Sequence, residues 1–387
     1  MPSKTPADVI VFNKGGRDFR AERLAANAET PREFFYGYYE LGRAGISAAM
    51  LSSSDDISGL RAKTAAFGER AFAGLTQLGV RPFYVRQRAP EFNGAKVLMS
   101  YTDGFSLSLG LGYPRKGPRP ILMGGFHGLT DIETRAPAWA LPLVRRTIAQ
   151  ALSGLDHAFF FGATDRQVAM DRYGLTAERS SVIPFGVDTE FWRPLPDVSP
   201  ADVAVAVGQD PNRDYDLLAS APGNHPIRIV TRRPVRIPEG RTNVSTTVGD
   251  FFDSASMSDE DIRRLYNLAF AVVVPVKDIN QPSGYSVSLQ AMSCGRPVII
   301  SRIRGLWATD ILKDGVNCIL VPPGDAPALG DAIGRVRADR DFAQRLGVAA
   351  RETAVAQLGL DKIGSGTVDL ARLGLRLHDE RSARMAA

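Results

Sequence analysis

Arg213 lies just beyond Gly208, which ends an apolar run from Ala201 to Val207. An arginine past a strand end can offer a phosphate a planar, permanently charged fork, or it can be a solvated surface side chain. A second candidate group is Ser283-Gly284, where the polar loop after the strand Phe270–Pro275 enters a helical pattern running from Tyr285 to about Cys294. The chain turns at Gly295-Arg296-Pro297 and returns as Val298-Ile299-Ile300, which makes a βαβ unit. Backbone N–H groups and the positive dipole end at Gly284 suit an anion in the crevice beyond the strand ends; an ordinary N-cap serine with a glycine easing the turn is the plainer alternative. His127, in Met123-Gly124-Gly125-Phe126-His127-Gly128, is the one histidine of four flanked by glycines after a strand. It reads either as a ligand-facing side chain or as a structurally satisfied one. Gly15-Gly16 follows the first strand, Asp8–Phe12, and would let the backbone approach a ligand closely or make a simple turn.

Metal and nucleophile chemistry find little support. Asp214-Tyr215-Asp216, Asp259-Glu260-Asp261 and Asp339-Arg340-Asp341 have D-x-D form, but each opens a helical pattern, where carboxylates act as caps. No His/Cys cluster has zinc spacing, and no G-x-S-x-G elbow or Walker-type loop occurs. No bound metal or cofactor is expected.

The elements that would position these residues alternate between strand and helix. Further strands are predicted at Ile46–Met50, Arg81–Val85, Lys96–Tyr101, Arg119–Met123, Ala158–Phe161 and Ser181–Ile183. A second series follows at Ile227–Val230, Asn243–Val248, Val298–Ser301 and Cys318–Val321. Helical patterns between them, such as Pro31–Leu41, Pro137–Leu152 and Asp259–Leu268, predict an α/β fold with parallel, helix-covered sheets. The Pro-spaced stretch Arg193–Pro200 marks a linker, giving domains at 1–192 and 193–360 and a helical segment at 361–387 that could pack back on the first. Two doubly wound halves leave a cleft, a preferred place for ligands.

Composition narrows the function. The 387 residues carry a net charge of +5 with arginines scattered rather than blocked, which argues against nucleic acid as a partner. The two cysteines, Cys294 and Cys318, sit in apolar elements and read as core thiols of a reducing compartment. No apolar run spans a bilayer and the N-terminus lacks an apolar leader, so a cytoplasmic location is expected. Contact with the inner face of a membrane stays open through Trp139, Leu141, Leu143 and Arg145-Arg146.

Taken together, the chain resembles the retaining glycosyltransferases of family 4 (glycosyltransferase group 1), which have the GT-B fold of two facing Rossmann-like domains. Val182–Phe191 (VIPFGVDTEF) is similar to the segment that closes the family's first domain. Ser288–Ile300, with Asp314–Asp325 (DGVNCILVPPGD), is similar to its most specific block. His127 and Gly15-Gly16 fall where the family has its sugar-contacting histidine and glycine-rich loop. The resemblance implies a nucleotide-diphosphate sugar, UDP- or GDP-linked, held mainly by the second domain. It further implies a glycan or lipid-linked acceptor approaching from the first, and metal-independent transfer with retention.

By position, Arg213 matches the basic residue that pairs with the diphosphate, and Gln209 stands where a second basic residue is usual. Gly208 begins that loop, while Ser283, Gly284 and Tyr285 match the loop facing phosphate and sugar. The family's two glutamates are replaced: Gln290 occupies the second position, where its amide would face ribose hydroxyls, and Pro282 the first. Asp278, Asn280 or Gln281, in a loop longer than the common form, are the residues available to contact the sugar instead. A non-hydrolysing epimerase or phosphorylase on the same fold, and a nucleotide-sugar-binding scaffold without turnover, are the competing readings.

Overall fold

The computed structural model describes residues 7–13, 18–52, 60–115, 117–249 and 257–386. Gly15 and Gly16 lie outside the described residues. The chain divides into two compact units, Met1–Asp18 with Phe35–Pro184 and Ile363–Ala387, and Phe19–Phe34 with Phe185–Lys362.

The first unit is built on a six-stranded sheet of order β2-β1-β3-β4-β5-β6. Its strands are β1 (Val9–Asn13), β2 (Ala48–Ser52), β3 (Val97–Ser100), β4 (Ile121–Phe126), β5 (His157–Phe160) and β6 (Ser180–Val182), and every pairing is parallel. Helices α1 (Asp18–Ala25), α2 (Tyr38–Arg43), α3 (Leu60–Thr76), α4 (Pro82–Arg88), α5 (Asp103–Gly112), α6 (Leu141–Gly154) and α7 (Ala163–Tyr173) follow in chain order. Beyond its first residue, α1 belongs to the second unit. The short apolar runs form strands because both sheet faces are covered: β3 and β4 are buried at every position. Arg81–Val85 is a correction, since it is helix rather than strand. Pro82 sits at the start of α4, where its missing N–H costs nothing, and the Pro82 backbone lies so close to Gly112 that a side chain there would overlap it. The Pro31–Leu41 pattern is also interrupted, because Tyr36 and Gly37 both take positive φ ahead of α2.

The second unit repeats the plan with order β12-β11-β10-β7-β8-β9. Its strands are β7 (Ala204–Val207), β8 (Ile227–Val230), β9 (Val244–Thr247), β10 (Ala271–Val274), β11 (Val298–Ser301) and β12 (Ile319–Val321), again all parallel. Between and after them come α8 (Tyr215–Ser220), α9 (Asp259–Leu268), α10 (Tyr285–Ser293), α11 (Ala326–Ala338) and α12 (Arg340–Gln357), while α13 (Leu360–Ala386) belongs to the first unit from Ile363 onward. The D-x-D segments are caps: Asp214 and Asp339 accept N–H bonds from Leu217 and Phe342, and Ser258 with Asp261 forms a capping box on α9. The division between units falls at Pro184–Phe185, ahead of the Pro-spaced stretch. Val187 bonds the carbonyl of Leu358, and Phe191 and Trp192 are buried in the second unit's core, so the segment up to 192 is already part of it.

Strand order places the ligand crevice. From β7 the chain winds outward through β8 and β9, then crosses back to β10 on the other side of β7. The step from β7 to β10 is therefore the switch point of the sheet, and ligands of such sheets bind beyond the carboxyl ends of the strands there.

Candidate active site

Arg213 occupies that switch point. Its backbone pairs with Val276 just after β10, and the Lys277 N–H bonds the Asn212 carbonyl, so the loops after β7 and β10 are stitched together around it. The side chain is 7% exposed. Nε and Nη1 are buried with no hydrogen-bond partner among the described residues, and the guanidinium makes no ion pair there. Two glycines create the space it fills. A Cβ on Gly208 would lie 3.3 Å from Nε and Nη2, and one on Gly284 would lie 3.0 Å from Nη1 and 2.5 Å from Val274 Cγ1. Gly284 caps α10 in the left-handed region at φ 88°, a conformation glycine adopts without a steric penalty. A buried, uncompensated guanidinium is costly, of order several kcal/mol. Beside the positive end of a helix, such a charge is chemically suited to an anion.

Asp210 braces this arrangement, and sequence reasoning missed it. Its Oδ2 accepts from Ser283 Oγ at 2.6 Å and from Gln281 Nε2 at 2.9 Å, while Oδ1 accepts from the Asn212 N–H at 2.8 Å. Ser283 is thus a brace for the loop, and Gly284 takes the N-cap position. Tyr285, next along, packs edge-on against Phe185 with ring centroids 4.4 Å apart.

The structure gathers Gly208, Arg213, Gln281, Ser283 and Gly284 but directs other sequence candidates elsewhere. Gln209 Oε1 accepts from the Arg232 N–H at 2.8 Å and its Nε2 donates to the Gly249 carbonyl, so its amide serves the ends of β8 and β9. Asp278 is held by Arg304 through the backbone N–H at 2.9 Å and Nε at 3.0 Å, in an exposed ion pair. The Asn280 carbonyl packs against Gly305 so tightly that a Cβ there would approach within 2.2 Å.

Gln290 turns its amide toward partners within the second unit. It is 1% exposed; Oε1 accepts from Tyr266 Oη at 3.3 Å and Nε2 donates to Glu33 Oε1 at 3.0 Å. The amide's bonds are made inside the protein. Glu33 also accepts from Trp192 Nε1 at 2.6 Å and from the Asp188 N–H at 3.3 Å. Full burial, reinforced by the Asp188 charge, pushes the Glu33 carboxyl up to about 7.

His127 belongs to the first unit and sits in a rigid loop after β4. Four consecutive amides are held by two carboxylates: Asp103 Oδ1 accepts from His127 N and Gly128 N at 3.1 and 3.2 Å, and Asp165 accepts from Leu129 N and Thr130 N at 3.1 and 3.0 Å. The ring donates from Nε2 to the Tyr101 carbonyl at 2.8 Å, which in the neutral tautomer leaves Nδ1 as an acceptor. Phe161 stacks on it with centroids 4.3 Å apart, and Tyr36 lies 5.5 Å away on the strained, left-handed backbone noted above. Strain of that kind in a non-glycine residue accumulates at functional positions. The carboxylates opening α5 and α7 were the sequence signal for this brace, though nothing linked them to His127.

Residues 240–339 match the family model for Glycosyl transferases group 1. This stretch runs from the approach to β9 through α11 and includes the Gly284 turn. The chain is 25% identical over 307 residues to an MMP alpha-(1->4)-mannosyltransferase of Mycolicibacterium hassiacum, covering 74% of this chain and 71% of that protein. It spans a little over half the length of several other curated relatives it matches. A sucrose-phosphate synthase structure from Thermosynechococcus elongatus superimposes with a TM-score of 0.65 at 19% identity, over 95% of this chain and 98% of that one. Anabaena HepE in complex with UDP-glucose gives 0.63 at 16% identity, over 94% and 98%. The fold is GT-B.

Proposed function

We propose that this chain is a glycosyltransferase that moves a sugar from a nucleotide-diphosphate donor to an acceptor hydroxyl, with retention and without a metal. One observation carries the reading: the buried, unpaired guanidinium of Arg213 between Gly208 and the start of α10. As the glycosidic bond breaks, negative charge grows on the departing diphosphate. A cation already desolvated and fixed, with helix-start amides beside it, stabilises that charge without reorganising. The match of residues 240–339 and the UDP-glucose bound by HepE support a nucleotide-sugar donor. An α-linked product, as in the name of the α-(1→4)-mannosyltransferase relative, is what retention gives when the donor is α-configured. His127 is assigned to the sugar or a nearby diphosphate oxygen, and the acceptor to a glycan or lipid-linked glycan.

A second reading is a nucleotide-sugar-binding scaffold, favoured by Gln290, whose amide is bonded within the protein where the resemblance calls for a carboxylate. The test is transfer with UDP- and GDP-sugars across an acceptor panel, in parallel with donor binding. Glycosidic product in the wild type that falls in Arg213→Ala supports transfer. Binding with neither transfer nor slow donor hydrolysis supports the scaffold, and an isomerised or phosphorolysed sugar would point to an epimerase or phosphorylase.

A further inference from the structure

At the opposite end of the second sheet from Arg213 lies a half-open cavity of about 1040 Å³. Ala201, Phe270 and Pro297, which precede β7, β10 and β11, place it at the amino ends of the strands. The cavity is therefore separate from the switch-point crevice. Its outer wall is one face of α12, including Arg340, Gly347, Val348 and Arg351.

The charges lining it are poorly matched. Asp202 is neutralised by Arg337, whose Nε donates to it at 2.7 Å. Arg351 Nη1 donates only to uncharged acceptors, among them the carbonyls of Ser293 and Trp192 at 2.7 and 3.0 Å. The Arg296 side chain makes no hydrogen bond or ion pair among the described residues, and its Nε is buried. Arg340 likewise has no partner within hydrogen-bonding range there. The remaining carboxylate in the lining is Glu352, which leaves the cavity with an excess of positive charge. Phe270, Pro297 and Val348 supply an apolar wall beside these guanidinium groups.

We propose that this cavity is a second ligand site, for an organic phosphate monoester whose head is held by Arg296 and Arg340 and whose apolar body lies against Phe270, Pro297 and Val348. A dianionic head matches two unpaired guanidinium groups better than a single carboxylate does, because arginine forks pair bidentately with phosphate oxygens. Partial burial holds the Arg296 guanidinium below its ordinary pKa, the mark of a charge lacking a counter-ion.

Calorimetric titration of the full chain with phenyl phosphate tests the site, with inorganic phosphate and benzoate as the head-only and carboxylate probes. Saturable one-to-one binding of phenyl phosphate, tighter than either probe, is expected. Arg296→Ala should weaken it about tenfold or more, the value of one charge-assisted bond. Val348→Glu, an exposed position whose change leaves the core intact, should weaken it similarly by placing a negative charge on the apolar wall. Arg213→Ala should leave it unchanged. The proposal is overturned if phenyl phosphate does not saturate, if it binds no better than benzoate, or if Arg213→Ala abolishes binding while Arg296→Ala and Val348→Glu do not. Because this site shares no residue with the switch-point crevice, its failure leaves the transferase reading standing, and the reverse also holds.

Discussion

Gln290 and Glu33 join side chain to side chain at 3.0 Å across 257 positions of sequence. An amide is needed at one of the two places. Replacing Gln290 with the glutamate that the resemblance calls for would set two buried carboxylates against each other, forcing one to hold a proton. Gln290→Glu is expected to lower Tm, more at pH 8 than at pH 6. The exchange Glu33→Gln with Gln290→Glu should recover most of the loss. A double variant no more stable than Gln290→Glu alone would show that the pairing has no such role.

Glu33 also gives stability a pH dependence of known sign. Its carboxyl is raised from the ordinary 4.5 to about 7 by burial. The contribution is full below the unfolded value, is lost as pH rises toward 7, and is flat beyond. Glu33→Gln keeps an amide acceptor for Trp192 but does not titrate. The Tm of wild type minus that of Glu33→Gln should therefore fall between about pH 5 and about pH 7 and then level off. A difference that stays constant, or rises, contradicts the assignment.

Arg213→Ala should cost about 1.5–3 kcal/mol of transition-state stabilisation, roughly ten- to a hundredfold in kcat/KM. Because removing a buried unpaired charge relieves strain in the free protein, Tm should hold or rise in the same variant. Loss of activity together with a large drop in Tm would mark Arg213 as structural. Unchanged kcat and kcat/KM would remove it from the mechanism.

Gly284→Ala tests the neighbouring turn. Left-handed backbone costs a non-glycine residue about 1–2 kcal/mol, and the new methyl would press on Val274 and on the Arg213 guanidinium. A lower Tm and weaker donor binding are expected together. Gly240→Ala, at a positive-φ glycine with nothing within 4 Å of the added Cβ, serves as the control. It should share the loss of stability without the loss of binding.

Membrane contact has its own test at the start of α6. Trp139 is 67% exposed and Leu143 48% exposed, beside the exposed Arg146. Burying one such side chain in a bilayer interface is worth about 1.5–3 kcal/mol, so Leu143→Glu should cut co-sedimentation with phosphatidylserine vesicles about tenfold or more. No helix among the described residues is long and apolar enough to cross a membrane. Wild-type protein that fails to sediment with these vesicles would dismiss the contact.

Much of the fold could be read from local pattern. Short β-branched runs such as Val272–Val274 and Val298–Ile300 are legible because a strand buried on both faces needs no partner information to be recognised. Arg81–Val85 misled because five mixed residues carry no reliable period, and the proline starting a helix outweighed them. Arg213 and Gly284 were legible through their positions after strands. Asp210 and Glu33 were not, since their importance lies in partners some 71 and 257 positions away. The partner of Gln290 was hidden for the same reason: a family position tells which residue type is usual, not whether a distant carboxylate bonds its amide.

The backbone passes between the two units at four places, near residues 18, 34, 184 and 362. Neither unit is therefore one contiguous stretch of the gene. Cutting the chain at a single linker would leave the first half without the Thr367 hydroxyl that meets Tyr101 Oη at 2.9 Å, and would carry Glu33 away from Gln290. Chimeras that trade donor preference among relatives must exchange both 19–34 and 185–362, and a hybrid spliced at one junction should aggregate where the four-junction hybrid folds.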